Sequence, residues 1–556
     1  MTAGASVSVR GVRLPVGYEG VRHNLKSFGS RWFLFLYLGG FHMAQIDVSE
    51  LTFGYEGSFD TIFEQVSFSV DTDWRLGLIG RNGKGKTTFL NLLLGMYEYQ
   101  GSIRADTVFE YFPWKLLPED FEECGAVLAE RMKADCEMWR VIRELDKLQV
   151  DPEALYRPFE TLSQGERTKV MLAVLFSGGH EFLLIDEPAN HLDQACRETV
   201  KNYLARKRGF ILVSHDRALL DGCIDHVLVL NRCSIEVQKG NFSSWWENKR
   251  RKDAFSQMEN EKHRKEIHKL RQASRRAGQW AERNESTKIG YDPVAEPDHA
   301  NRAFIGMKTK KMQSRVKQME GRIEREIAAK EGLLQDVETV TQLKLFPVRH
   351  AKQVLLRVHD YSLGYGSREE ENEKFLFRDL RFTVEQGERI FLNGKNGCGK
   401  SSLIRAILNH ASADGGSGAA MDGMTEQGTL ETASGLVISY INQDTGFLQG
   451  SIRSFCEERG LEESLFCALL RQLDLERAQF AKPVETFSEG QKKKILLAAS
   501  LLTPAHLYIW DEPLNYIDVF SRMQIEEVIT MCNPTMLIVE HDSQFREKIA
   551  TKVVDL

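Results

Sequence analysis

No stretch of this 556-residue sequence comes near the roughly 20 consecutive apolar residues that a helix needs to cross a bilayer. Its nine cysteines are scattered without a CxxC pair, which argues against a zinc site or a disulfide framework and suits a reducing cytoplasm. A large excess of one charge is also lacking, because the net charge is −6, so the overall composition gives no signal for nucleic acid. The 42% of hydrophobic residues excludes disorder for most of the chain, and the length predicts two or three domains.

The most apolar run, residues 32–41 (WFLFLYLGGF), is about half the length of a membrane span and lies in a basic N-terminal stretch. It has the outline of a signal peptide, but no small-residue cleavage site follows it. The sequence continues with MAQIDVSELTFGY, which begins at Met43 and is typical of a first strand. We therefore expect Met43 to be the natural start and residues 1–42 to be an upstream extension. The alternative is a weak membrane-facing segment.

An internal duplication is visible in the sequence. Four short motifs occur twice in the same order, and the serine of the second motif precedes the aspartate of the third by the same distance in both copies. The pairs are GRNGKGKT (80–87) and GKNGCGKS (394–401), LSQGE (162–166) and FSEGQ (487–491), FLLIDEP (182–188) and LYIWDEP (507–513), and VSHD (213–216) and VEHD (539–542). This pattern predicts two copies of one module, residues 43–246 and 346–556, joined by an unlike segment at 247–345.

The first motif of each copy is a GxxxxGK[ST] phosphate loop that follows an apolar run and precedes a helical one. The glycines of such a loop let backbone N–H groups turn toward phosphates, and the helix N-terminus adds its dipole. Lys86 and Lys400 are expected to reach the β- and γ-phosphates of ATP, and Thr87 and Ser401 to ligate Mg²⁺. The predicted ATP-binding residues of the loops are Gly80, Asn82, Gly83, Gly85, Lys86, Thr87 and Thr88 in the first copy and Gly394, Asn396, Gly397, Gly399, Lys400, Ser401 and Ser402 in the second.

Each copy also contains an apolar run that ends in Asp-Glu, which predicts a strand delivering two carboxylates to one edge of a sheet. Asp186 and Asp511 are expected to hold the metal, and Glu187 and Glu512 to polarise the attacking water as general bases. Alone, such a pair could simply end a strand and cap a turn. Beside a phosphate loop the catalytic interpretation is favoured.

Together these motifs resemble the ATP-binding cassette superfamily over residues 44–246 and 352–556. The features that distinguish it from other phosphate-loop ATPases are the signatures Ser163–Gly165 and Ser488–Gly490. The resemblance implies an α/β fold with two cassettes, in which each signature closes over the ATP of the opposite module, so that Lys86 faces Ser488 and Lys400 faces Ser163. The signature residues implied to bind ATP are Ser163, Gly165, Ser488 and Gly490.

The same resemblance implies that His215 and His541 are switch histidines at the γ-phosphate and that Tyr55 and Tyr365 stack on adenine. A structural histidine and a core tyrosine are the alternatives. The superfamily also places a Mg²⁺-contacting glutamine between loop and signature. Gln443 fits this position, but the corresponding residue of the first copy is Trp114, which cannot ligate a metal, and Ala189 replaces a usual threonine. These departures concern the first site.

The segment between the modules is basic and amphipathic. From residue 245 to 345 it contains 23 Lys and Arg against 16 Asp and Glu, a net charge of +7 in a chain that is −6 overall. Apolar residues recur at helical spacing on both sides of a breaker-rich stretch, residues 285–306, which predicts an antiparallel helical hairpin with a loop at its tip. The hairpin could be a solvated spacer, but its cations suit RNA phosphates, and Tyr291, Phe304 and Ile305 at the tip could contact bases.

Two cassettes joined by such a hairpin resemble the ABC-F proteins of translation, and most of all their Lsa-type antibiotic-resistance branch. The residues that carry this resemblance are GLIGRNGKGKTT, YRPFETLSQGERTKV, GFILVSHDRA, LYIWDEPLNYIDVF and the lead-in GNFSSWWENK. The resemblance implies a cytoplasmic, ribosome-associated ATPase that uses ATP and Mg²⁺ and pairs its cassettes within one monomer. It also implies binding at the exit (E) site of a bacterial ribosome, near rRNA and P-site tRNA, where lincosamides, pleuromutilins and streptogramin A would be dislodged.

Three alternatives to this interpretation remain. One is a housekeeping translation factor of the same architecture, which has no effect on drugs. Comparing the drug susceptibility of cells with and without the gene would distinguish it from a resistance protein. Another is a transport ATPase subunit, which would have a short linker and a membrane partner. The last is a long-coil DNA-repair ATPase, but those split one cassette around the coil, whereas this chain has two complete cassettes.

Overall fold

The computed structural model describes residues 45–55, 61–133, 136–179, 181–190, 192–231, 234–286, 310, 314, 317–319, 321–327, 343–365, 374–412 and 424–556. Residues 1–42 and the predicted tip residues Tyr291, Phe304 and Ile305 lie outside this description. By its contacts the chain divides into two compact units. Both cassettes belong to one unit (Met1–Trp245 with Thr341–Leu556), and the segment between them, Trp246–Val340, forms the other.

The first cassette has nine strands and six α-helices within the described residues. The strands are β1 (Gln45–Gly54), β2 (Thr61–Asp71), β3 (Arg75–Ile79), β4 (Gln100–Ala105), β5 (Val108–Phe112), β6 (Glu181–Asp186), β7 (Phe210–Val213), β8 (His226–Leu230) and β9 (Ile235–Lys239). The helices are α1 (Lys86–Leu93), α2 (Gly125–Met132), α3 (Met138–Lys147), α4 (Gln164–Leu175), α5 (Gln194–Leu204) and α6 (Arg217–Cys223).

A long helix, α7 (Phe242–Ser286), follows β9 along the chain. A shorter helical stretch is described at residues 321–327. At about 1.5 Å per residue, the 45 residues of α7 extend over roughly 65 Å. None of the helices in the described part of the chain has an apolar stretch long enough to span a membrane.

The second cassette repeats the first. Its strands are β10 (Val354–Tyr365), β11 (Lys374–Glu385), β12 (Arg389–Asn393), β13 (Met424–Thr432), β14 (Ile438–Ile441), β15 (Leu507–Asp511), β16 (Met536–Val539) and β17 (Lys552–Asp555). Its helices are α8 (Lys400–Ser412), α9 (Ile452–Arg459), α10 (Glu463–Gln472), α11 (Glu489–Leu502), α12 (Val519–Cys532) and α13 (Ser543–Ile549).

The sheet topology follows the duplication strand by strand. The main sheet has the order β5-β6-β7-β3-β8-β9 in the first cassette and β14-β15-β16-β12-β17 in the second, so that only β9 has no counterpart there. Each cassette also has a three-stranded antiparallel sheet, β2-β1-β4 and β11-β10-β13. The central strands β7 and β16 are buried along their whole length, as expected for parallel strands covered on both faces. The predicted pair of α/β cassettes is confirmed.

The topology also explains where chemistry can occur. In each cassette the phosphate loop follows an inner strand, β3 or β12, and the Asp-Glu pair lies at the end of a strand two positions away in the same sheet, β6 or β15. The carboxyl ends of parallel strands meet at one edge, where ligands bind in open α/β sheets. The loop and the two carboxylates are therefore brought to the same edge in both cassettes.

Candidate nucleotide-binding sites

The phosphate loops can be built only with glycine at their last turn. Gly85 has φ +92° and Gly399 has φ +102°, in the left-handed region that other residues rarely adopt. A Cβ atom on Gly85 would lie 2.6 Å from Cγ2 of Ile62, and one on Gly399 would lie 3.0 Å from Cβ of Leu376. The backbone therefore turns at these positions in direct contact with the adjoining antiparallel sheet.

Both loop lysines curl back over their loops. The Nζ atom of Lys86 donates to the backbone oxygen of Gly80 at 2.8 Å and to Oδ1 of Asn82 at 3.0 Å. The Nζ atom of Lys400 donates to the backbone oxygens of Gly394 and Lys395, both at 2.9 Å. An ammonium group enclosed by a glycine-rich loop at a helix N-terminus is suited to bind phosphate oxygens.

The two Asp-Glu pairs stand at the carboxyl ends of β6 and β15. In both pairs the glutamate has a left-handed backbone, with φ +51° at Glu187 and φ +47° at Glu512. The strained conformation is held in the same way twice, because each glutamate N–H donates at 2.9 Å to a strand oxygen, that of Val213 or that of Val539. Such strain at matching positions is typical of a functional site.

The residues around the aspartates fit a cation. In the first site Oγ1 of Thr87 donates to Oδ2 of Asp186 at 3.0 Å. In the second site Asp511 is 1% exposed, and within the described residues neither of its buried oxygens has a well-formed hydrogen bond, although the Ser401 hydroxyl is near enough to favour the charged form. Burial raises the pKa of Asp511 to about 6. A buried carboxylate beside a hydroxyl is the donor set that Mg²⁺ takes in phosphate-loop ATPases.

The two candidate bases have different surroundings. Glu512 accepts hydrogen bonds from Nε2 of Gln443 at 2.9 Å and from Nδ2 of Asn515 at 2.7 Å, and Nε2 of His541 lies 3.6 Å from its Oε1. Burial alone would raise the pKa of Glu512, but His541 and the cations nearby outweigh it and the pKa is lowered. Glu512 is thus ionised at neutral pH, as a general base must be.

In the first site burial outweighs the nearby cations, and the pKa of the glutamate is raised. Burial, together with the charge of Asp186, raises the pKa of Glu187 to about 8. Its Oε1 lies 3.3 Å from Nε2 of His215, but burial lowers the pKa of that histidine, which leaves it neutral. Among the described residues no side-chain amide contacts Glu187. At neutral pH and without nucleotide, Glu187 is therefore protonated.

Strand register places Trp114 where the second cassette has Gln443. Phe112 is paired with Ile185, the residue before Asp186, and Ile441 is paired with Trp510, the residue before Asp511. Two residues beyond these pairs the chain reaches Trp114 in one cassette and Gln443 in the other. The Gln443 amide that contacts Glu512 thus has no equivalent in the first site.

The signature serines begin the helices α4 and α11. The hydroxyl of Ser163 accepts from the N–H of Glu166 and that of Ser488 from the N–H of Gln491, so that both are N-caps. The glycines are packed closely, since a Cβ on Gly165 would lie 3.0 Å from the sulfur of Cys196 and one on Gly490 2.9 Å from the backbone oxygen of Tyr516. A larger residue at either glycine would therefore collide with its neighbours beside the N-terminus of the helix, where the positive end of the helix dipole lies.

Residues of both cassettes form a cavity of about 420 Å³ at the second site. The first cassette provides the middle residue of its signature and an arginine after its Asp-Glu pair, and the second provides an asparagine of its loop, both amides that contact Glu512, the base and the switch histidine. The lining residues are Gln164, Arg197, Asn396, Gln443, Glu512, Asn515 and His541. The volume is within the range of ligand pockets in proteins, so this cavity is the candidate site for a nucleotide.

At the first site the cassettes touch directly. Nδ2 of Asn82 in the phosphate loop donates to the backbone oxygen of Tyr516 at 2.9 Å, and Arg81 forms an ion pair with Asp474. The Arg81 guanidinium also lies 6.0 Å from the ring centre of Phe520, against which Trp245 packs at 6.1 Å. The first phosphate loop therefore contacts the second cassette, at a phenylalanine that the first turn of α7 also contacts.

The candidate adenine-binding tyrosines are in matching positions. The Tyr55 hydroxyl is hydrogen-bonded to Oγ1 of Thr88 at 2.8 Å, and that of Tyr365 to Oγ of Ser402 at 3.4 Å. The side chains are 43% and 50% exposed, which does not fit core tyrosines. Their rings stand beside the loop and are available to stack on a base.

The sequence interpretation missed several residues of these sites. The hydroxyl of Tyr111 donates to Asp186, and Asn515 contacts Glu512 three residues along the chain. Arg197 and Arg522 bond to Asp216 and Asp542, the aspartates of the VSHD and VEHD motifs, at 3.3 and 3.1 Å. The signal that could have found the arginines is their repetition, since both follow the Asp-Glu pair at the same distance.

A buried ion pair joins the cassettes away from the loops. Arg217 on α6 forms a bidentate pair with Glu526 on α12, which is 0% exposed, and the half-exposed Lys548 approaches the same carboxylate at 3.1 Å. The duplication does not repeat the pair, because Ser543 and Lys201 are at the equivalent positions.

We expect Arg217→Met to lower the free energy of unfolding by about 3 kcal/mol, because it leaves a buried carboxylate without its main partner. Lys548→Met, which removes the exposed cation from the same carboxylate, should cost at most about 1 kcal/mol. Urea unfolding of the two variants measures the difference. Equal losses would show that the Arg217 pair does not stabilise the contact between the cassettes.

Comparison with known proteins agrees with this geometry. Residues 63–190 and 377–515 match the family described as ABC transporter. The chain therefore contains two ATP-binding cassette domains, which are ATPase domains, and its resemblance to the ABC-F subfamily is confirmed.

Three relatives show the range of proteins that the chain is similar to. Ribosome protection protein VmlR of Bacillus subtilis (strain 168) is 28% identical over 499 residues, which are 89% of this chain and 84% of that protein. The erythromycin resistance ATP-binding protein MsrA of Staphylococcus epidermidis is 26% identical over 500 residues, 87% of this chain and 92% of that one. ABC transporter F family member 2 of Arabidopsis thaliana is 24% identical over 570 residues, 92% and 76% of the two chains.

A solved structure shares the fold. The archaeal ribosome recycling factor, determined in complex with a ribosomal stalk protein, superimposes with a TM-score of 0.55 over 91% of this chain and 87% of its own. The two sequences are 16% identical, so the likeness concerns the arrangement of two cassettes in one chain.

Proposed function

We propose that the protein binds bacterial ribosomes in its ATP-closed form and protects them from antibiotics that act at the peptidyl-transferase centre. The observation that carries this proposal is the extent of the similarity to VmlR, which covers 89% of the chain and thus more than the two cassettes occupy. A transport ATPase would resemble relatives in its cassettes alone. The name of MsrA, a resistance protein, supports the same conclusion.

ATP acts in this proposal as the ligand that holds the cassettes together. Lys86 and Lys400 each bind the phosphate oxygens of the ATP in their own cassette. The signature of the opposite cassette completes each site. A nucleotide that binds the closed pair far better than the open one shifts the chain to the closed form. Hydrolysis removes that preference and releases the protein.

Hydrolysis itself is assigned to residues of the sheet edge. Ser401, Asp511 and Gln443 would hold Mg²⁺ in the second site, and Thr87 and Asp186 in the first. The ion supplies positive charge that neutralises the phosphates during transfer. Glu512, ionised and oriented by two amides, would take a proton from the attacking water, and His541, which lies 3.6 Å from its other oxygen, would bind the γ-phosphate.

The ribosome is the partner that the linker suits. The described part of α7 is rich in arginine and lysine, as in KHRKEIHKLRQASRR. Cations spaced along a thin helix can contact phosphates on several sides of an RNA cleft. Entry at the E site, proximity to P-site tRNA, and displacement of lincosamides, pleuromutilins and streptogramin A complete the proposal, and a protein with this partner works in the cytoplasm.

The test is pelleting of ribosomes with the Glu187→Gln/Glu512→Gln variant, which should bind ATP without completing hydrolysis. We expect the variant to sediment with ribosomes when ATP is present and to stay in the supernatant without nucleotide, through a moderate-salt wash. Addition of Lys86→Ala and Lys400→Ala to the same chain is the control, because it removes ATP binding. Failure to sediment despite demonstrated ATP binding would refute the ribosome as partner.

Drug susceptibility separates protection from a housekeeping role. Expression of the wild-type chain should raise the inhibitory concentrations of the three drug groups, and the variant without both loop lysines should not. Unchanged susceptibility together with ATP-dependent ribosome binding would favour the housekeeping translation factor.

A further inference from the structure

The aspartate of the first site has a second hydrogen-bond donor that does not belong to the phosphate loop. The hydroxyl of Tyr111 on β5 donates to Oδ2 of Asp186 at 3.1 Å, the same oxygen that Thr87 contacts at 3.0 Å. The register explains the contact, because Tyr111 is paired with Leu184, and Leu184 and Asp186 point to the same face of β6.

The second site has the same tyrosine but uses it differently. Tyr440 is paired with Ile509, two residues before Asp511, in the register of Tyr111. Its hydroxyl donates instead to Oδ1 of Asn442 at 3.3 Å and leaves Asp511 without it. Position 442 is Pro113 in the first cassette, and proline has no side-chain acceptor that could draw the hydroxyl away.

The difference between the two tyrosines coincides with the presence or absence of the glutamine that contacts the base. The cassette in which the tyrosine holds the aspartate is the one with Trp114, and the cassette in which it does not is the one with Gln443. Groups that hydrogen-bond a metal-binding carboxylate fix its orientation, and their removal typically lowers metal affinity about 10- to 100-fold.

We infer that Tyr111 is a positioning residue for the metal of the first site, where it orients Asp186 and makes up for the absent glutamine. The inference depends on the two ATP sites alone and holds whether or not the ribosome is the partner.

The test measures metal affinity site by site, with Mn²⁺ as the probe and a non-hydrolysable ATP analogue present. Lys400→Ala confines nucleotide to the first site and Lys86→Ala to the second, and electron paramagnetic resonance counts free Mn²⁺. We expect Tyr111→Phe to weaken Mn²⁺ binding at the first site by about 10-fold or more. Tyr440→Phe, the matched variant, should change binding at the second site by less than about twofold.

A rescue variant separates positioning from a structural role. Trp114→Gln supplies the missing amide, and in the Tyr111→Phe background it should restore most of the lost Mn²⁺ affinity, while it adds little to a chain that keeps Tyr111. Thermal melting checks that the variants are folded. Unchanged Mn²⁺ affinity in folded Tyr111→Phe, an equal loss in Tyr440→Phe, or absence of rescue would overturn the assignment.

If Tyr111→Phe does not fold, Asn442→Ala tests the same reasoning in the other cassette. Without its acceptor the Tyr440 hydroxyl becomes available to Asp511, and Mn²⁺ binding at the second site should tighten about threefold or more, an effect that Tyr440→Phe should abolish. Unaltered binding in Asn442→Ala would contradict the role of the acceptor at this position.

Discussion

Glu512→Gln is expected to lower the maximal rate of ATP hydrolysis by about 10²- to 10³-fold, whereas Glu187→Gln should leave more than about half of it. The reason is the contrast between the two carboxylates in the nucleotide-free protein. Glu512 has a lowered pKa and accepts hydrogen bonds from two amides, which hold it in one orientation. The pKa of Glu187 is raised to about 8, so that much of it is protonated at neutral pH and cannot take a proton from water.

Steady-state phosphate release at saturating ATP and Mg²⁺ measures both variants, which carry the same chemical change at equivalent positions. Nucleotide affinity is measured alongside, because a glutamine at either position should keep ATP bound. An equal loss of turnover in the two variants would show that binding of nucleotide and metal removes the asymmetry. A larger loss in Glu187→Gln would reverse the assignment of the hydrolytic site.

Much of the fold could be predicted from the sequence because each motif occurs twice, and the second copy supports the interpretation of the first. The phosphate loops and the Asp-Glu pairs are local signals, in which a few consecutive residues set the turn and the chemistry. The sheet order could not be predicted from periodicity, since β6, β7, β15 and β16 are all short apolar runs that look alike. Only the fold brings runs from distant parts of the chain next to one another.

The sites were harder to predict where contacts cross between strands or cassettes. Trp114 could be aligned with Gln443 from its distance along the chain, but the hydroxyl of Tyr111 reaches Asp186 through the register of two strands that are far apart in sequence. The contact of Asn82 with Tyr516 depends on two loops more than 400 residues apart. The helical hairpin, the domain boundaries and the site roles stay predictions that the experiments above address.

The two sites differ in how they are closed as well as in their bases. The first is joined to the second cassette by Asn82 and by the ion pair of Arg81 with Asp474, and the pair is not repeated, because Lys395 and Gln149 occupy the equivalent positions. The second site is lined by both cassettes around a cavity. We therefore expect the first site, with a positioned metal carboxylate and a protonated glutamate, to retain nucleotide, and the second, with an ionised and oriented base, to hydrolyse it. In the proposed mechanism the first site would favour closure of the cassettes and the second would set the time of release.

The same two glutamates should have opposite effects on stability when each is replaced by glutamine. Between about pH 4.5 and pH 8 the folded protein keeps a proton on Glu187 that the unfolded chain has lost, so the stability from this group is complete below pH 4.5 and disappears as the pH rises toward 8. Glu187→Gln has no such loss, so its free energy of unfolding at pH 8.5 should be higher than that of the wild type, by several kcal/mol for a pKa raised to about 8.

The effect of pH on the stability contributed by Glu512 has the opposite sign. Its folded pKa is lowered, so its charge stabilises the folded state above the unfolded pKa and the benefit is lost as the pH falls. Glu512→Gln should therefore be less stable than the wild type at pH 8.5 and approach it in acid. Urea unfolding of nucleotide-free wild type and variants at pH 5, 7 and 8.5 gives both differences. Changes of the same sign in the two variants would mean that the surroundings of Glu187 and Glu512 are alike in solution, and the division of roles between the sites would then have no electrostatic basis.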